Sequence, residues 1–147
     1  MKARRPVYQT QWAAQFAVAS ELCKRGYQVA LTLGNHPVVD LMVRSPTGKA
    51  FGIDVKGLYK RNYWPITLKE IRKDLFYVLA FVPTDKHNEY FVMTQQQVGK
   101  AIQANWDRYC IRHGIRKCSF DVDENRMPGV DWKDAEQYRG RWNILPE

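Results

Sequence analysis

The order of hydrophobic and polar residues near the start of the chain predicts a helix. Residues 10–25 are rich in alanine, contain neither proline nor glycine, and are followed by Gly26, a common C-terminal signal. With about 100° of rotation per residue, one broad arc of this helix is largely apolar and is expected to face the core. The arc contains Trp12, Phe16, Val18, Ala19, Leu22 and Cys23.

Runs of β-branched and aromatic residues predict a series of strands. Single strands are predicted at residues 27–33, 75–83 and 89–94, with a turn at residues 34–35. Residues 37–57 predict two strands joined by a tight loop, because the Ser-Pro-Thr-Gly sequence at 45–48 supplies turn chemistry between two apolar runs.

The rest of the chain predicts one more helix and two loop-rich regions. Residues 95–113 have an apolar side made of Val98, Ile102, Trp106, Tyr109 and Cys110, which predicts a helix. Residues 58–73 predict a loop with a short helical turn, and residues 114–147 a loop-rich segment that packs its aromatic side chains on the core. A chain of 147 residues is too short for two ordinary domains, so we expect one domain over residues 1–147.

The hairpin at residues 37–57 is the segment that carries candidate chemistry. If its loop is centred on Thr47, paired residues have numbers that sum to about 94, so Asp40 lies opposite Asp54 with Cβ atoms roughly 5 Å apart. Lys56 projects from the same strand face as Asp54. Two carboxylates held this close repel each other, and a bound divalent cation would remove that conflict. The alternative is that both carboxylates lie in water at strand ends, where Lys56 neutralises one of them.

The charge balance indicates a polyanionic partner. There are 23 Lys and Arg residues against 15 Asp and Glu, which leaves a formal charge of +8 and favours nucleic acid. Within the segment at 58–73, cationic and aromatic residues alternate, as in surfaces that contact phosphates and stack on bases. The candidate nucleic-acid-binding residues are Lys60, Arg61, Trp64, Lys69, Arg72 and Lys73. The alternative is a solvated basic loop whose aromatic residues anchor it to the core.

The cysteines argue against a disulfide framework. Three cysteines without a C-x-x-C spacing fit reduced thiols in a cytoplasmic protein. Cys110, His113 and Cys118 lie close in sequence, but they lack a fourth ligand and the spacing of a structural zinc site. No apolar stretch approaches the roughly 20 residues of a membrane span, and no secretory signal is present.

The order of motifs resembles that of the PD-(D/E)xK nuclease superfamily. The resemblance rests on ASELCKRGYQV at the end of the first helix, then PVVD, then thirteen residues, then the D-V-K triplet. D-x-K alone is a weak signal, whereas these elements in this order are fairly specific. The resemblance extends over residues 10–147 and implies an α/β, restriction-endonuclease-like fold, with a mixed central sheet of four to five strands flanked by helices.

The resemblance also implies an activity and a set of site residues. It implies a DNA endonuclease that uses Mg²⁺ or Mn²⁺ to hydrolyse phosphodiester bonds, and a homodimer would suit double-strand cleavage. Asp40 and Asp54 would bind the metal and Lys56 would act on the reacting groups. The backbone oxygen of Val55 would be a further metal ligand.

One position departs from the family pattern. Relatives often carry a glutamate in the first helix, in a sequence like A-E-x-x-V-A-x-E-L, where this chain has Gln15. Gln15 falls inside the apolar arc, whereas Glu21 points to nearly the opposite side and is expected in solvent. A buried glutamine needs hydrogen-bond partners, and we weigh a catalytic role, orienting a site water, against simple capping of backbone groups.

Two other classes of function stay open at this point. The chain could be a nucleic-acid-binding module that keeps the nuclease fold without its chemistry, a reading that Gln15 favours. It could also be an interaction protein in which the positive charge is incidental.

Overall fold

The computed structural model describes residues 3–32, 39–115 and 127–147. The helices are α1 (Val7–Lys24), α2 (Gln95–His113) and the short α3 (Trp132–Ala135). The strands are β1 (Gln28–Leu31), β2 (Leu41–Arg44), β3 (Ala50–Leu58), β4 (Trp64–Pro65), β5 (Leu75–Phe81), β6 (Glu89–Thr94) and β7 (Gly129–Val130). Two 3₁₀ turns follow α3, at Glu136–Tyr138 and Trp142–Ile144.

The central feature is a mixed sheet of five strands in the order β1-β2-β3-β5-β6. β3 and β5 are parallel, and the other neighbouring pairs are antiparallel. Helix α1 packs against one face of the sheet, where its buried residues form a cluster with Ile53 and Val55. Helix α2 packs against the other face, where its buried residues form a cluster with Tyr77 and Leu79. The expected α/β class with a mixed sheet is therefore confirmed.

The register of the β2–β3 hairpin is the one that the sequence predicts. Leu41 pairs with Ile53 and Arg44 with Ala50, so the paired numbers sum to 94. Gly48 has a φ of 96°, a value that glycine adopts without steric cost, and it closes the loop. Side chains alternate along β3, so Asp54 and Lys56 share the face that packs against α2.

Helix α1 begins earlier and turns a different face to the sheet than the sequence indicates. Its first residue is Val7 rather than residue 10, and Phe16, expected in the core, is 55% exposed. Trp12 is half-buried and stacks on Phe16, and Cys23 is exposed. The buried residues of the helix are Thr10, Ala14, Gln15, Val18 and Leu22. Thr10 and Ala14 are small, so the helix can pack closely on β3. This close packing stabilises the observed orientation more than burial of the larger Trp12 and Phe16 side chains would.

The connection from β3 to β5 contains structure that the sequence does not reveal. Two parallel neighbouring strands require a crossover, and here it is residues 59–74. Residues 58–73 were predicted as loop with a helical turn, but they contain β4, which pairs with β7 in a second, two-stranded sheet. A two-residue strand has no periodicity to detect, because it forms only when its distant partner is in place.

The remaining expectations have mixed outcomes. The bounds of β6 and α2 agree with the prediction, and α2 begins with a Thr94–Gln97 capping box and ends at Gly114 with a φ of 65°. Beyond residue 126, buried Trp132 and Trp142 pack on the core as expected. The turn at 34–35 and Cys118 lie outside the described residues. Within the described ranges, no helix has the length and apolar character needed to cross a membrane.

The close approach of α1 to β3 depends on Gly57. A Cβ atom at this position would lie 2.7 Å from Cβ of Ala14 and 3.0 Å from the carbonyl oxygen of Thr10. We expect Gly57→Ala to lower the free energy of unfolding by about 1–3 kcal/mol, because the helix must move away. Urea denaturation measures the change. The control is Gly99→Ala inside α2, where a Cβ meets only Leu68 at 3.5 Å and should stabilise the helix; equal effects would contradict this account.

Candidate active site

A buried carboxylate on β3, that of Asp54, lies at the centre of the candidate site. The residue is 1% exposed, and each of its oxygens contacts a lysine ammonium. Lys56 Nζ lies 2.8 Å from Oδ1, and Lys69 Nζ lies 2.8 Å from Oδ2. A carboxylate this deeply buried is not at a strand end in water, so that alternative from the sequence is wrong for Asp54.

The two lysine contacts differ in kind. The Lys69 ammonium donates a directed hydrogen bond to Oδ2. The Lys56 ammonium forms an ion pair with Oδ1, but among the described residues Oδ1 accepts no hydrogen bond with proper geometry. Buried polar oxygens normally accept at least one hydrogen bond. Oδ1 of Asp54 therefore keeps the capacity to bind a further positively charged group.

Asp40 lies at a break in the hairpin ladder, just before β2. Its backbone N–H donates to Ile53 O at 3.0 Å, and its carboxylate Oδ2 accepts the Val55 N–H at 2.8 Å. The side chain thus replaces a backbone partner of β3, and it is close enough to Asp54 for the two charges to interact. Burial raises the pKa of Asp40 above its usual value; the Val55 hydrogen bond opposes this, and the charge of Asp54 adds to it.

Two glutamines of α1 reach the hairpin from the opposite face of the sheet. Gln15 donates from Nε2 to Asp40 Oδ1 at 3.2 Å, and Gln11 donates from Nε2 to the Val55 carbonyl at 2.8 Å. The backbone-capping alternative for Gln15 is therefore wrong, because the observed partner is a carboxylate. Gln11 was missed, although its spacing of four residues from Gln15 places both on one helix face.

Lys69 reaches Asp54 because a buried side chain holds the crossover. Gln95, 4% exposed at the start of α2, donates to the backbone oxygens of Lys69 and Glu70 at 3.1 and 2.9 Å. Its Oε1 accepts the N–H of Arg72 at 2.8 Å. The sequence assigned Lys69 to a nucleic-acid surface, but the structure places it on the buried carboxylate.

Trp64, another member of the predicted nucleic-acid surface, is a core residue. It is 0% exposed, its indole N–H donates to Ala80 O at 3.3 Å, and its ring packs against Phe91 and Trp132. A side chain that is fully buried cannot stack on a base, so this assignment is wrong. The alternative that aromatic residues anchor the basic segment to the core holds for Trp64.

The other four members of the predicted surface are exposed but do not form one patch with a single role. The Arg61 guanidinium lies 4.4 Å from the centroid of Trp132, and Arg72 forms an ion pair with Asp74 at 3.3 Å. Lys60 and Lys73 have exposed side chains. Of these residues, only Lys60 lines a groove that also contains Gln11, the residue whose amide contacts Val55.

That groove, the cationic groove, lies between the start of α1 and the segment after β3. It has a volume of about 610 Å³, and its lining includes Arg4, Arg5, Gln11, Tyr59, Lys60 and Asn62. The lining contains three cationic side chains and no carboxylate among the described residues. Arg5 is fixed by hydrogen bonds to Val82 O and Thr84 Oγ1 at 2.7 and 2.9 Å. Gln11 joins the groove to the carbonyl of Val55.

The donor set fits a hard divalent cation to a limited extent. Two carboxylates and the second lone pair of the Val55 carbonyl are oxygen ligands of the kind that Mg²⁺ and Mn²⁺ prefer. In the described ranges, no group of three or more His, Cys, Asp or Glu side chains forms a metal cluster. Water and a substrate oxygen would have to supply the remaining ligands, as is usual for Mg²⁺.

Comparisons with known proteins identify no relative of this chain. No protein-family model, no curated protein and no solved structure matches it.

The two carboxylates are expected to affect stability in opposite directions. Since burial raises the pKa of Asp40, the folded state holds its proton more tightly than the unfolded state does. Ionisation therefore costs stability as pH rises from the ordinary value of 3.8 through the raised pKa. At pH 7 without metal, we expect Asp40→Asn to raise the melting temperature by a few degrees, on the order of 1 kcal/mol or less. The new amide oxygen still accepts the Val55 N–H, and the Gln15 amide can turn so that its oxygen accepts from the new NH2 group.

Asp54→Asn is the matched comparison for Asp40→Asn. It removes the partner of two ammoniums, so we expect a loss of about 1–3 kcal/mol. Thermal melts at pH 7 and pH 3.5 measure both variants. The gain from Asp40→Asn should be lost at the lower pH, and a gain that persists there would contradict the assigned cause.

Proposed function

We propose that this chain is a divalent-metal-dependent nuclease that hydrolyses phosphodiester bonds of DNA, with a restriction-endonuclease-like fold. The observation that carries the proposal is the convergence of Asp40, Asp54 and Lys56 on one hairpin. A buried carboxylate beside a second carboxylate is costly unless cations neutralise it. Here the neutralising groups are lysines that leave one carboxylate oxygen without a hydrogen bond.

The chain's own residues have distinct roles in this reaction. Asp40, Asp54 and the Val55 carbonyl would hold Mg²⁺ or Mn²⁺, and an ion bound there polarises phosphorus and acidifies water. Gln15 and Gln11 hold Asp40 and the Val55 carbonyl in place through their side-chain amides. In hydrolysis, the water oxygen bonds to phosphorus and gives up a proton to solvent, the bond to the leaving sugar oxygen breaks, and the leaving oxygen takes up a proton from solvent.

Lys56 is the residue placed to act on the reacting atoms. Its side chain is 31% exposed, so it reaches both the buried carboxylate and a group that approaches from solvent. A compact positive charge there would orient the attacking water or stabilise the negative charge that develops on the phosphoryl oxygens.

The cationic groove supports a nucleic-acid substrate. A polyanionic strand in the groove would lie against Arg4, Arg5 and Lys60, and Gln11 in the groove lining donates to the Val55 carbonyl. The net charge of +8 favours the same partner. Half-buried Tyr59 and exposed Lys60, which follow β3, take the place of the broader basic patch that the sequence indicates.

Cleavage by site variants tests the proposed reaction. We expect the protein to nick supercoiled plasmid with Mg²⁺ or Mn²⁺, and Asp40→Asn and Lys56→Gln to cut at least roughly a hundredfold more slowly. Asp40→Asn is the sharper variant, because it should fold at least as stably as the native protein. Arg72→Gln, an exposed change away from the groove, is the control.

The same assay separates the two open functions. DNA binding without metal-dependent cleavage, under any of these metals, would contradict the nuclease and leave the binding module. Gln15 in place of an acidic residue is the observation that favours the module, because one carboxylate fewer weakens the hold on a divalent cation.

DNA binding is expected to depend on the cationic groove rather than on the exposed lysines and arginines of the crossover that lie outside the groove. Arg4→Gln and Lys60→Gln should each weaken binding to a labelled oligonucleotide and reduce the slope of log affinity against log salt by about 1. Fluorescence anisotropy over a salt series measures this slope. Lys73→Gln removes an equal charge from the crossover and should change neither quantity; a larger effect from Lys73→Gln would contradict the groove.

A further inference from the structure

Lys69 occupies one of the two Asp54 oxygens that a metal ion could use. Its ammonium donates to Oδ2 at 2.8 Å, while Lys56 contacts Oδ1. Both oxygens of the buried carboxylate are therefore in contact with positive charge. An incoming divalent cation must share the carboxylate with two ammoniums or displace one of them, and it is repelled by whichever stays.

The two lysines differ in how easily they can leave. Lys56 is part of β3, whose backbone pairs with β5 through the whole region, so its Cα position is fixed. Lys69 belongs to the crossover, where no regular strand or helix holds it. Its side chain is 36% exposed, so the ammonium can turn to solvent or to a phosphate without a change in the sheet.

Gln95 is the residue that keeps Lys69 at the site. It is buried, and all three of its side-chain hydrogen bonds are made to backbone groups of residues 69–72. These bonds determine where the crossover passes the sheet, and hence how far the Lys69 side chain must reach. Gln95 is thus a positioning residue for Lys69, although it touches neither carboxylate in the described contacts.

We infer that Lys69, positioned by Gln95, is a resident counter-ion that occupies Asp54 and lowers the metal affinity of the free protein. The inference rests on the proposed function, because it assumes a divalent-cation site at Asp40 and Asp54. Without metal, two ammoniums balance two carboxylates. A divalent ion brings two further charges, and departure of Lys69 from Oδ2 relieves part of that excess. Metal binding and release of Lys69 are therefore coupled.

Calorimetric titration of the full chain with Mn²⁺ alone tests the inference without any cleavage assay. We expect Lys69→Met to bind Mn²⁺ more tightly by roughly ten- to a hundredfold, the range that a charge-assisted hydrogen bond represents. Lys69→Arg keeps the charge and should restore the native affinity. Gln95→Ala loosens the crossover and should tighten binding by a smaller factor. Lys73→Met is the charge control on the same segment and should bind like the native protein.

Thermal melts provide a second readout on the same variants. Without metal, Lys69→Met should melt lower than the native protein, because Asp54 loses its directed hydrogen bond. Saturating Mn²⁺ should raise its melting temperature by more than it raises that of the native protein, since ligand stabilisation grows with affinity. A variant that had merely lost structure would show the lower melting temperature without the tighter binding.

The possible outcomes separate the inference from the function on which it rests. If neither the native protein nor Lys69→Met binds Mn²⁺, the metal site itself is wrong and the proposed function fails. If both bind with equal affinity, or Lys69→Met binds more weakly, the inference fails and the proposed metal site stands. Tighter binding by Lys73→Met as well would reduce the effect to net charge and would also overturn the inference.

Discussion

The buried carboxylate of Asp54 is the constraint on which the rest of the site depends. It lies in the middle of the sheet, 1% exposed, where an unpaired charge would cost several kcal/mol, so positive groups must meet it there. Lys56 does so from the same strand, and Lys69 comes from the crossover. The path of the crossover and the hydrogen bonds of Gln95 follow from this need as much as from the packing of the apolar residues.

Close packing on the other face of the sheet completes the arrangement. Gly57 has no side chain, so α1 approaches β3 until Gln11 and Gln15 reach the hairpin. One amide holds the Val55 carbonyl, and the other holds the Asp40 carboxylate. Both faces of the sheet therefore contribute to one site: amides from the α1 side, and charges from the α2 side. Gln15 stands where the nuclease motif that this sequence resembles often has an acidic residue, which leaves the site with fewer negative charges for a cation.

The motif order and the geometry support the nuclease proposal in different ways. The motif order predicted which residues would converge. The β2–β3 register confirms the predicted offset for Leu41–Arg44 against Ala50–Ile53, and Asp40 lies just beyond that ladder. The cationic groove beside Gln11 offers a binding path for a polyanion. This path could not be predicted from residues 58–73 alone, because part of its lining comes from the start of α1. Trp64 shows why: in the sequence it alternates with cations as a stacking residue would, yet its ring fills the core between Phe91 and Trp132.

The sequence by itself determined the features that depend on near neighbours. Strand alternation and turn chemistry place Asp54 and Lys56 on one face, and the capping residues of α2 set its ends, because such effects act over a few residues. Only the tertiary structure decided which face of α1 is buried, that β4 exists, and that Lys69 meets Asp54. Each of these features requires contact between segments far apart in the chain. The arrangement that forms is the one that packs most closely and leaves no buried charge unpaired.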